Sequence, residues 1–501
     1  MDSGILRRPL ARTAIALLLV AVVVVAVLAM GSTGARAQAI GVSGAPYAQP
    51  LPPGFVGLSI ELKALEQYAG SNPNAIDPVL VHLIEDTAPA QSPVLRIGGD
   101  STDWSWWPVT HLARPGGVRY TLTRTWMRVA HSLASILRAR LILGVDLEAN
   151  SRAVAAAEAN AMVGQIGRSY IDALELGNEP ELYGSFGWYK SPAGAQVLGR
   201  PRGYNIPAYT GDFSALGGGL PAVPLAGPSS GGPEWLAGLG YFLRHEPRVK
   251  LVTVHAYPLK HCTKATIVTI PQLLADQASH GLALRVAPLL TVARSHGAAL
   301  RIDEMNGISC GGTRGVSDTF TSALWLLDTL FEMARLGVNG VNIHSVPGTI
   351  NEILGPSFTG GQWRIAVHPE FYGMVMFAQA APPGARLLRL SSAVPAGVKL
   401  WATRAPTGII HVVAINKTLG RPETLRLRIA GANGPAAVEQ LRARSPHATS
   451  GVTLGGQTFG AVTNTGVLAG PTPHQTANPS DGVYTVRVPA ASATMLTVNG
   501  G

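Results

Sequence analysis

The chain has 501 residues, 47% hydrophobic and 14% charged, with a formal net charge of +10. That balance supports a large buried core, excludes an intrinsically disordered chain, and allows more than one domain. The basic residues form no runs and are not interleaved with aromatics, so the excess charge gives no argument for nucleic acid and reads first as an ordinary basic surface.

At the N-terminus, Arg7, Arg8 and Arg12 precede an unbroken apolar stretch, residues 14–30, and Ala35-Arg36-Ala37 has the form of a small-residue cleavage site. Residues 1–37 therefore read as a secretory signal peptide, with an uncleaved membrane anchor as the alternative. Arg7-Arg8 is compatible with twin-arginine export but carries little weight alone. The expected location is secreted, periplasmic or at the cell surface, and a membrane is a partner only if the segment stays attached. An exported chain whose two cysteines are Cys262 and Cys310 predicts a disulfide. A metal set of His261, Cys262 and Cys310 matches no zinc spacing, and no metal is expected.

Residues 38–53 are rich in Pro and Gly and read as a possible edge strand of a later sheet. From residue 54 to 376, short apolar runs alternate with helical stretches. The strand candidates are residues 55–61, 94–97, 141–145, 171–176, 223–226, 251–255, 300–303 and 340–344. Residues 126–138, 153–167 and 319–336 carry helical spacing, the last ending at Gly337 as a C-cap. Eight strands alternating with helices predict a parallel (β/α)8 TIM barrel. Residues 377–501 lack a helical pattern. Trp401, residues 409–415, 425–429 and 484–488 read as strands of a C-terminal β-sandwich, with a Gly/Thr-rich loop or hairpin over 450–480.

Active sites of such barrels lie at the C-terminal strand ends. The predicted strands end in polar residues there: Glu61 after the first, Gly98-Gly99-Asp100-Ser101-Thr102-Asp103-Trp104 after the second, and Gly177-Asn178-Glu179-Pro180-Glu181 after the fourth. His255-Ala256-Tyr257-Pro258 closes the sixth, Asp303-Glu304-Met305-Asn306 the seventh and His344 the eighth. Two glutamates facing each other across a barrel mouth are what glycoside hydrolysis requires, one to protonate the leaving oxygen and one to attack the anomeric carbon. Glu179 and Glu304 are that pair. Asn178 can hold a sugar hydroxyl, and Tyr257 can hydrogen-bond Glu304 and keep it ionised. Asp303 is expected to be structural, because neighbouring strand residues point to opposite faces. Glu181 reads as a loop carboxylate and His255 as a structural hydrogen-bonder. His344 either touches substrate or fills the rim, and Trp104, Trp106 and Trp107 either stack on sugar or pack in the core.

Residues 95–103, 176–181, 255–258 and 301–306, as quoted, resemble glycoside hydrolase family 79, the β-glucuronidase and heparanase-like group of the retaining (β/α)8 clan. The resemblance spans roughly residues 50–370, and the β-rich tail is similar to that family's second domain. It implies Glu179 as acid/base, Glu304 as nucleophile, and Glu61, Asp103, Asn178 and Tyr257 around the sugar. It also implies that the loop Gly307-Ile308-Ser309-Cys310-Gly311-Gly312-Thr313 holds a uronate carboxylate, with Ser309, Gly311 and Gly312 as contacts; serine stands at 309 where an aromatic hydroxyl is expected. A Cys262–Cys310 bridge would brace this loop. The expected activity is exo-acting β-glucuronidase, without cofactor, on a carbohydrate containing glucuronic acid. Endo action or a neutral sugar, and a non-catalytic carbohydrate-binding protein, are the rivals.

Overall fold

Parallel strands rich in branched apolar residues need both faces covered, and the sequence supplies eight of them. The computed structural model describes residue 1 and residues 38–500, apart from 264, 473 and 474. The expected leader or anchor over 1–37 thus lies outside the described residues, apart from residue 1. Among the described residues no helix is long and apolar enough to cross a membrane. The strands β1 (Val56–Glu61), β2 (Val94–Gly98), β3 (Arg140–Val145), β4 (Ile171–Leu176), β5 (Leu225–Ser230), β6 (Val249–Ala256), β7 (Ala299–Met305) and β8 (Gly340–Ser345) close into one barrel, each parallel to the next, with β8 pairing β1. The fifth strand runs further than its sequence signal, through Gly227-Pro228-Ser229-Ser230, because barrel closure supplies the pairing that local propensity does not.

The helices between strands follow their local chemistry. Thr123 caps the helix Arg124–Leu137 by accepting from the Trp126 N–H, and Trp126, Met127, Val129, Ala130 and Leu133 bury one face of it. The helix Phe320–Leu336 is buried nearly all round, being covered by the barrel on one side and by the C-terminal domain on the other. It ends at Gly337, whose φ of +79° is the left-handed cap that glycine adopts without strain.

The C-terminal domain is a ten-stranded mixed sheet that wraps around its own core of Val398, Ile410, Val412, Leu425, Leu427, Tyr484, Val486 and Leu496. Its strands include Arg386–Leu390, Val398–Arg404, Ile409–Asn416, Glu423–Ile429, Ala436–Arg442, Tyr484–Val488 and Ser492–Asn499. Ile40–Pro46 joins the same sheet. It lies between Arg386–Leu390, antiparallel, and Glu423–Ile429, parallel, so it is an interior strand where an edge strand was expected. The cause is register: Ile40 and Val42 alternate into the core, which fills a gap between two strands as well as it would extend an edge.

The two domains are joined by a buried polar contact set in apolar packing. Asp328 of the helix Phe320–Leu336 accepts from Trp401 Nε1 at 2.9 Å and Ser279 Oγ at 2.6 Å and pairs with the Lys417 ammonium. Phe331 stacks on Trp401 with centroids 5.5 Å apart. Lys417 holds the Asp328 carboxyl below the usual range in spite of burial, so that carboxyl stays ionised at neutral pH. This docking holds β7 and β8, flanking that helix in the chain, against a fixed support.

Candidate active site

The barrel mouth is organised by Arg96, which stands in the middle of the apolar run of β2 and is fully buried. A buried guanidinium must have its donors satisfied, and here five partners do it. Nε donates to Glu175 Oε2 at 2.8 Å, Nη1 to Glu304 Oε2 at 2.7 Å and Ser59 Oγ at 3.2 Å, and Nη2 to Asn178 Oδ1 at 2.8 Å and Ser229 Oγ at 3.1 Å. One cation thus ties β1, β2, β4, β5 and β7 together, and one of its arms reaches Glu304.

Glu304 is nearly buried. Tyr257 Oη donates to its other oxygen, Oε1, at 2.8 Å, as the sequence suggested. Burial alone would push the carboxyl up. His255, His344, Arg96 and the Tyr257 bond outweigh that and hold it well below the usual carboxylate range, so it is ionised at any physiological pH.

Glu179 sits at the other side of the mouth, on a turn that only the tertiary structure explains. Gly177 has φ +76°, and a Cβ there would meet Tyr183 Oη at 2.4 Å. Glu179 itself has φ +47°, a left-handed conformation unusual for glutamate, stabilised by its N–H donating to Ser229 O at 2.8 Å. Its side chain is partly open to solvent, and His255 Nδ1 lies 3.0 Å from Oε1. The carboxylate oxygens of Glu179 and Glu304 and a His255 nitrogen all lie within 4.8 Å of one another.

His255 therefore does more than brace the fold. It is buried, with Nε2 3.1 Å from Ser229 Oγ and 3.5 Å from Asp303, and with Nδ1 3.7 Å from Glu304 Oε1. Burial opposes its charge, but Glu304 and Asp303 win and raise it well above the usual histidine value. Glu179, His255 and Glu304 are close enough to surround a metal ion. With the imidazole protonated, Nδ1 can donate to Glu179 Oε1 and bridge the two glutamates.

Asp303 corrects a sequence argument. Strand alternation should turn it away from Glu304, yet both side chains meet Arg96 and His255. The register between β6 and β7 slips by one residue, Val254 facing Ile302 and His255 facing Glu304. Asp303 is the extra residue of a bulge that aims two consecutive carboxylates inward. It remains structural in the sense expected, being fully buried. Beside it, burial pushes Glu175 up to about 7 while His255 and Arg96 hold Asp303 down. Below pH 7 Glu175 keeps its proton and donates it to Asp303, which accounts for the two carboxylate oxygens that otherwise lack a donor, Glu175 Oε1 and Asp303 Oδ1.

The remaining sequence-derived residues divide into lining and support. Glu61 is buried at the end of β1, accepting from the Ser101 N–H at 2.8 Å and from the Ser101 hydroxyl, with His344 Nε2 at 3.7 Å. His344 also lies 3.9 Å from Glu304, which places it in the site rather than at the outer rim. Asn178 bridges Arg96 and Asp100, donating to Asp100 Oδ1 at 3.1 Å. Asp103, expected beside the sugar, is a support instead. Its oxygens accept from the N–H groups of Leu147, Glu148 and Asn178 and from Tyr183 Oη, at 2.7–3.1 Å, and it is buried beneath the loops it ties. Glu181 likewise accepts from the N–H groups of Gly231 and Gly232 and clips the loop after β4 to that after β5. Of the tryptophans, Trp106 packs in a core with Val118, Val154 and Trp188, and Trp104 lies under Lys63 and Arg119.

Asp100 was not among the expected contacts. It is solvent-accessible in the mouth, ringed by Glu61, Glu304 and Glu179, and the protein packed around it together with those charges pushes it up to about 8. Arg96 and Glu175 were missed too. The signal was present: a charge inside an apolar barrel strand, Val-Leu-Arg-Ile or Ala-Leu-Glu-Leu, must find a buried partner.

Cys262 and Cys310 form the disulfide, with Cα atoms 5.2 Å apart. It joins the loops after β6 and β7, which also pair as Leu259–Lys260 with Ile308–Ser309. Cys310, Gly311 and Gly312 all have positive φ. Gly311 O accepts from the N–H groups of Ile350 and Asn351, and a Cβ on Gly312 would meet Asn351 Oδ1 at 2.2 Å. Ser309, 3.7 Å from Cys262 Sγ, belongs to the same brace. Among the described residues, no hydrogen bond joins these three residues to either glutamate. The bridge closes a span of 48 residues. Removing it as Cys262→Ser with Cys310→Ser is expected to cost about 2–4 kcal/mol on the chain-entropy account. The drop in thermal midpoint measures this, and an unchanged midpoint would show that the bridge is dispensable for stability.

Comparison with known proteins places this geometry. Residues 408–495 match the glycosyl hydrolase family 79 C-terminal beta domain. A search of curated protein sequences finds no match. Among solved structures, the chain resembles a 4-O-α-L-rhamnosyl-β-D-glucuronidase from Fusarium oxysporum 12S, crystallised as a Rha-GlcA complex. The TM-score is 0.74 at 20% identity, covering 92% of this chain and 100% of that one. It also resembles a family 51 arabinofuranosidase from Xanthomonas axonopodis pv. citri (TM-score 0.59, 15% identity, 92% and 99% covered) and an α-L-arabinofuranosidase from Thermotoga maritima (0.61, 12%, 92% and 99%). These likenesses establish the shared barrel-plus-β-domain fold and leave the sugar open, since the proteins named act on different ones. The C-terminal domain is thus similar to that of glycosyl hydrolase family 79, and the fold of the whole chain to that of a β-glucuronidase.

Proposed function

We propose that this protein is a retaining exo-β-glucuronidase. The observation that carries the reading is the pair of carboxylates: oxygens of Glu179 and Glu304 lie within 4.8 Å, with Glu304 held ionised and Glu179 more open to solvent. Carboxyl groups about 5–5.5 Å apart leave no room for the water that an inverting enzyme places, which needs about 6.5–9.5 Å.

In the first half-reaction Glu304 attacks the anomeric carbon while Glu179 protonates the leaving oxygen. In the second, Glu179 takes a proton from water, which displaces Glu304. Arg96 and Tyr257 aim the nucleophile, each on a different oxygen. His255 stands between the glutamates and carries positive charge that steadies whichever of them is ionised.

The uronate preference is supported by the family of the C-terminal domain and by the fold shared with a β-glucuronidase. The loop 307–313, braced by the disulfide, is the element that would meet the uronate carboxylate, and Ser309, Gly311 and Gly312 act through its backbone shape. Side-by-side kinetics with aryl β-glucuronide, β-glucoside and β-xyloside test the reading. Turnover of the glucuronide at least about 100-fold above the others is expected, as for a site whose polar groups are left unpaired by the wrong sugar. Hydrolysis of a neutral glycoside without the glucuronide would overturn the uronate reading, and a first-formed α-product, seen by proton NMR, would overturn retention.

A further inference from the structure

Beyond residue 37, the net positive charge of this chain is carried by one domain. Residues 38–376 carry 24 Lys or Arg against 25 Asp or Glu, whereas residues 377–501 carry 11 against 3. The barrel part is thus net −1 and the β-domain net +8, a segregation far from an evenly basic surface.

Within that domain, strand alternation sets three of the eleven basic residues on one face. Along Glu423–Ile429, Leu425, Leu427 and Ile429 point into the core, so Thr424, Arg426 and Arg428 share the outer face. Along Tyr484–Val488, Tyr484, Val486 and Val488 are buried, and Thr485 and Arg487 face outward. The register sets Thr424 opposite Arg487 and Arg426 opposite Thr485, so each of these arginines faces a threonine across the two strands. On the other flank Arg428 is level with Gly41, which presents no side chain. Of the three acids in the domain, Glu423 is paired with Arg421 at 2.7 Å, Glu439 lies on Ala436–Arg442, remote in strand order, and Asp481 lies in the turn before Tyr484. Among the described residues, no ion pair joins Arg428 or Arg487 to a carboxylate.

We propose that this outer face, built on Arg426, Arg428 and Arg487, binds an acidic polysaccharide, the polymer whose glucuronate ends the barrel trims. The identity of the polymer rests on the glucuronidase reading; the anionic, hydroxyl-rich character of the ligand rests on the face itself. Guanidinium groups pair with carboxylates, and the interleaved threonine hydroxyls suit sugar hydroxyls. The face carries no aromatic on which a nucleic-acid base could stack and no apolar side chain to insert into a lipid surface. Such a site would hold the polymer while successive ends reach the barrel, as a second binding point raises effective concentration.

The test uses the full chain and the triple variant Arg426→Gln, Arg428→Gln, Arg487→Gln. Binding to soluble polyglucuronate, to duplex DNA and to phosphatidylserine vesicles is measured at one fixed low salt concentration. The parent is expected to bind polyglucuronate most tightly. The triple variant is expected to bind it about ten-fold more weakly, as for the loss of three exposed ion pairs, with kcat/KM on an aryl β-glucuronide unchanged. A triple lysine variant at the same positions, which keeps the charge, should retain most of the affinity and controls for misfolding. Equal binding of polyglucuronate by parent and glutamine variant would overturn the proposal, and so would DNA or vesicles bound as tightly as polyglucuronate. Because binding is read without turnover, a chain that binds polyglucuronate through this face but does not cleave the aryl glucuronide would refute the catalytic reading and leave the face standing.

Discussion

Replacing Glu304 with glutamine is expected to lower kcat by about 10⁴-fold or more on every glycoside the protein cleaves. The substitution keeps size and the Tyr257 contact but removes both the attacking lone pair and the charge that Arg96 and His255 are arranged to hold. Glu179→Ala should behave differently. Loss of the acid costs about 10²–10⁴-fold with a poor leaving group and much less with an activated aryl one, because only the former needs a proton. Azide, small enough for the space vacated and needing no base, should then restore turnover of the activated substrate and yield a glycosyl azide of retained configuration. Activity of Glu304→Gln within ten-fold of the parent would sink the nucleophile assignment. A Glu179→Ala defect that ignores the leaving group and resists azide would sink the acid/base assignment.

The second large effect is expected at Arg96. Arg96→Met deprives Glu304, Glu175 and Asp303 of a shared cation inside the barrel, where an unpaired charge costs about 3–5 kcal/mol. Part of that loss should be recoverable. Adding Asp303→Asn to Arg96→Met removes one uncompensated charge, so the urea midpoint should rise again while kcat stays low. Nothing in that second change restores the aim of Glu304. Arg96→Lys should fall between, since one ammonium has three donors for five acceptors. The arrangement would be misread if Arg96→Met were as stable as the parent, or if the double variant recovered activity together with stability.

The two predictions share a physical basis. A carboxyl buried among apolar strands would normally be neutral, and the ionisation of Glu304 depends on nearby positive charge that itself had to be buried and paired. The cost is distributed over Glu175 and Asp303, which are fully buried.

Much of this was legible from local pattern. Eight apolar runs between helical stretches specify a parallel barrel, and a barrel puts its chemistry at the strand ends. Glu61, Asn178, Glu179, Tyr257, Glu304 and His344 could therefore be assigned to one mouth without coordinates. The even cysteine count and the neighbouring loops likewise pointed to the bridge that forms. Strand register and burial decided the rest, because they depend on partners distant in sequence. A one-residue slip between β6 and β7 turned Asp303 inward, and loop N–H groups claimed Asp103 as a support. Ile40–Pro46 found an interior place in a sheet whose other strands lie more than 300 residues away. Arg426, Arg428 and Arg487 share a face only when every second residue of Glu423–Ile429 is set beside every second residue of Tyr484–Val488. The sequence by itself determined which groups are available and at which strand ends they emerge, since both follow from short-range periodicity. The tertiary structure alone decided which of them share a proton, a cation or a surface, since those relations depend on distances of a few ångströms between segments remote in the chain.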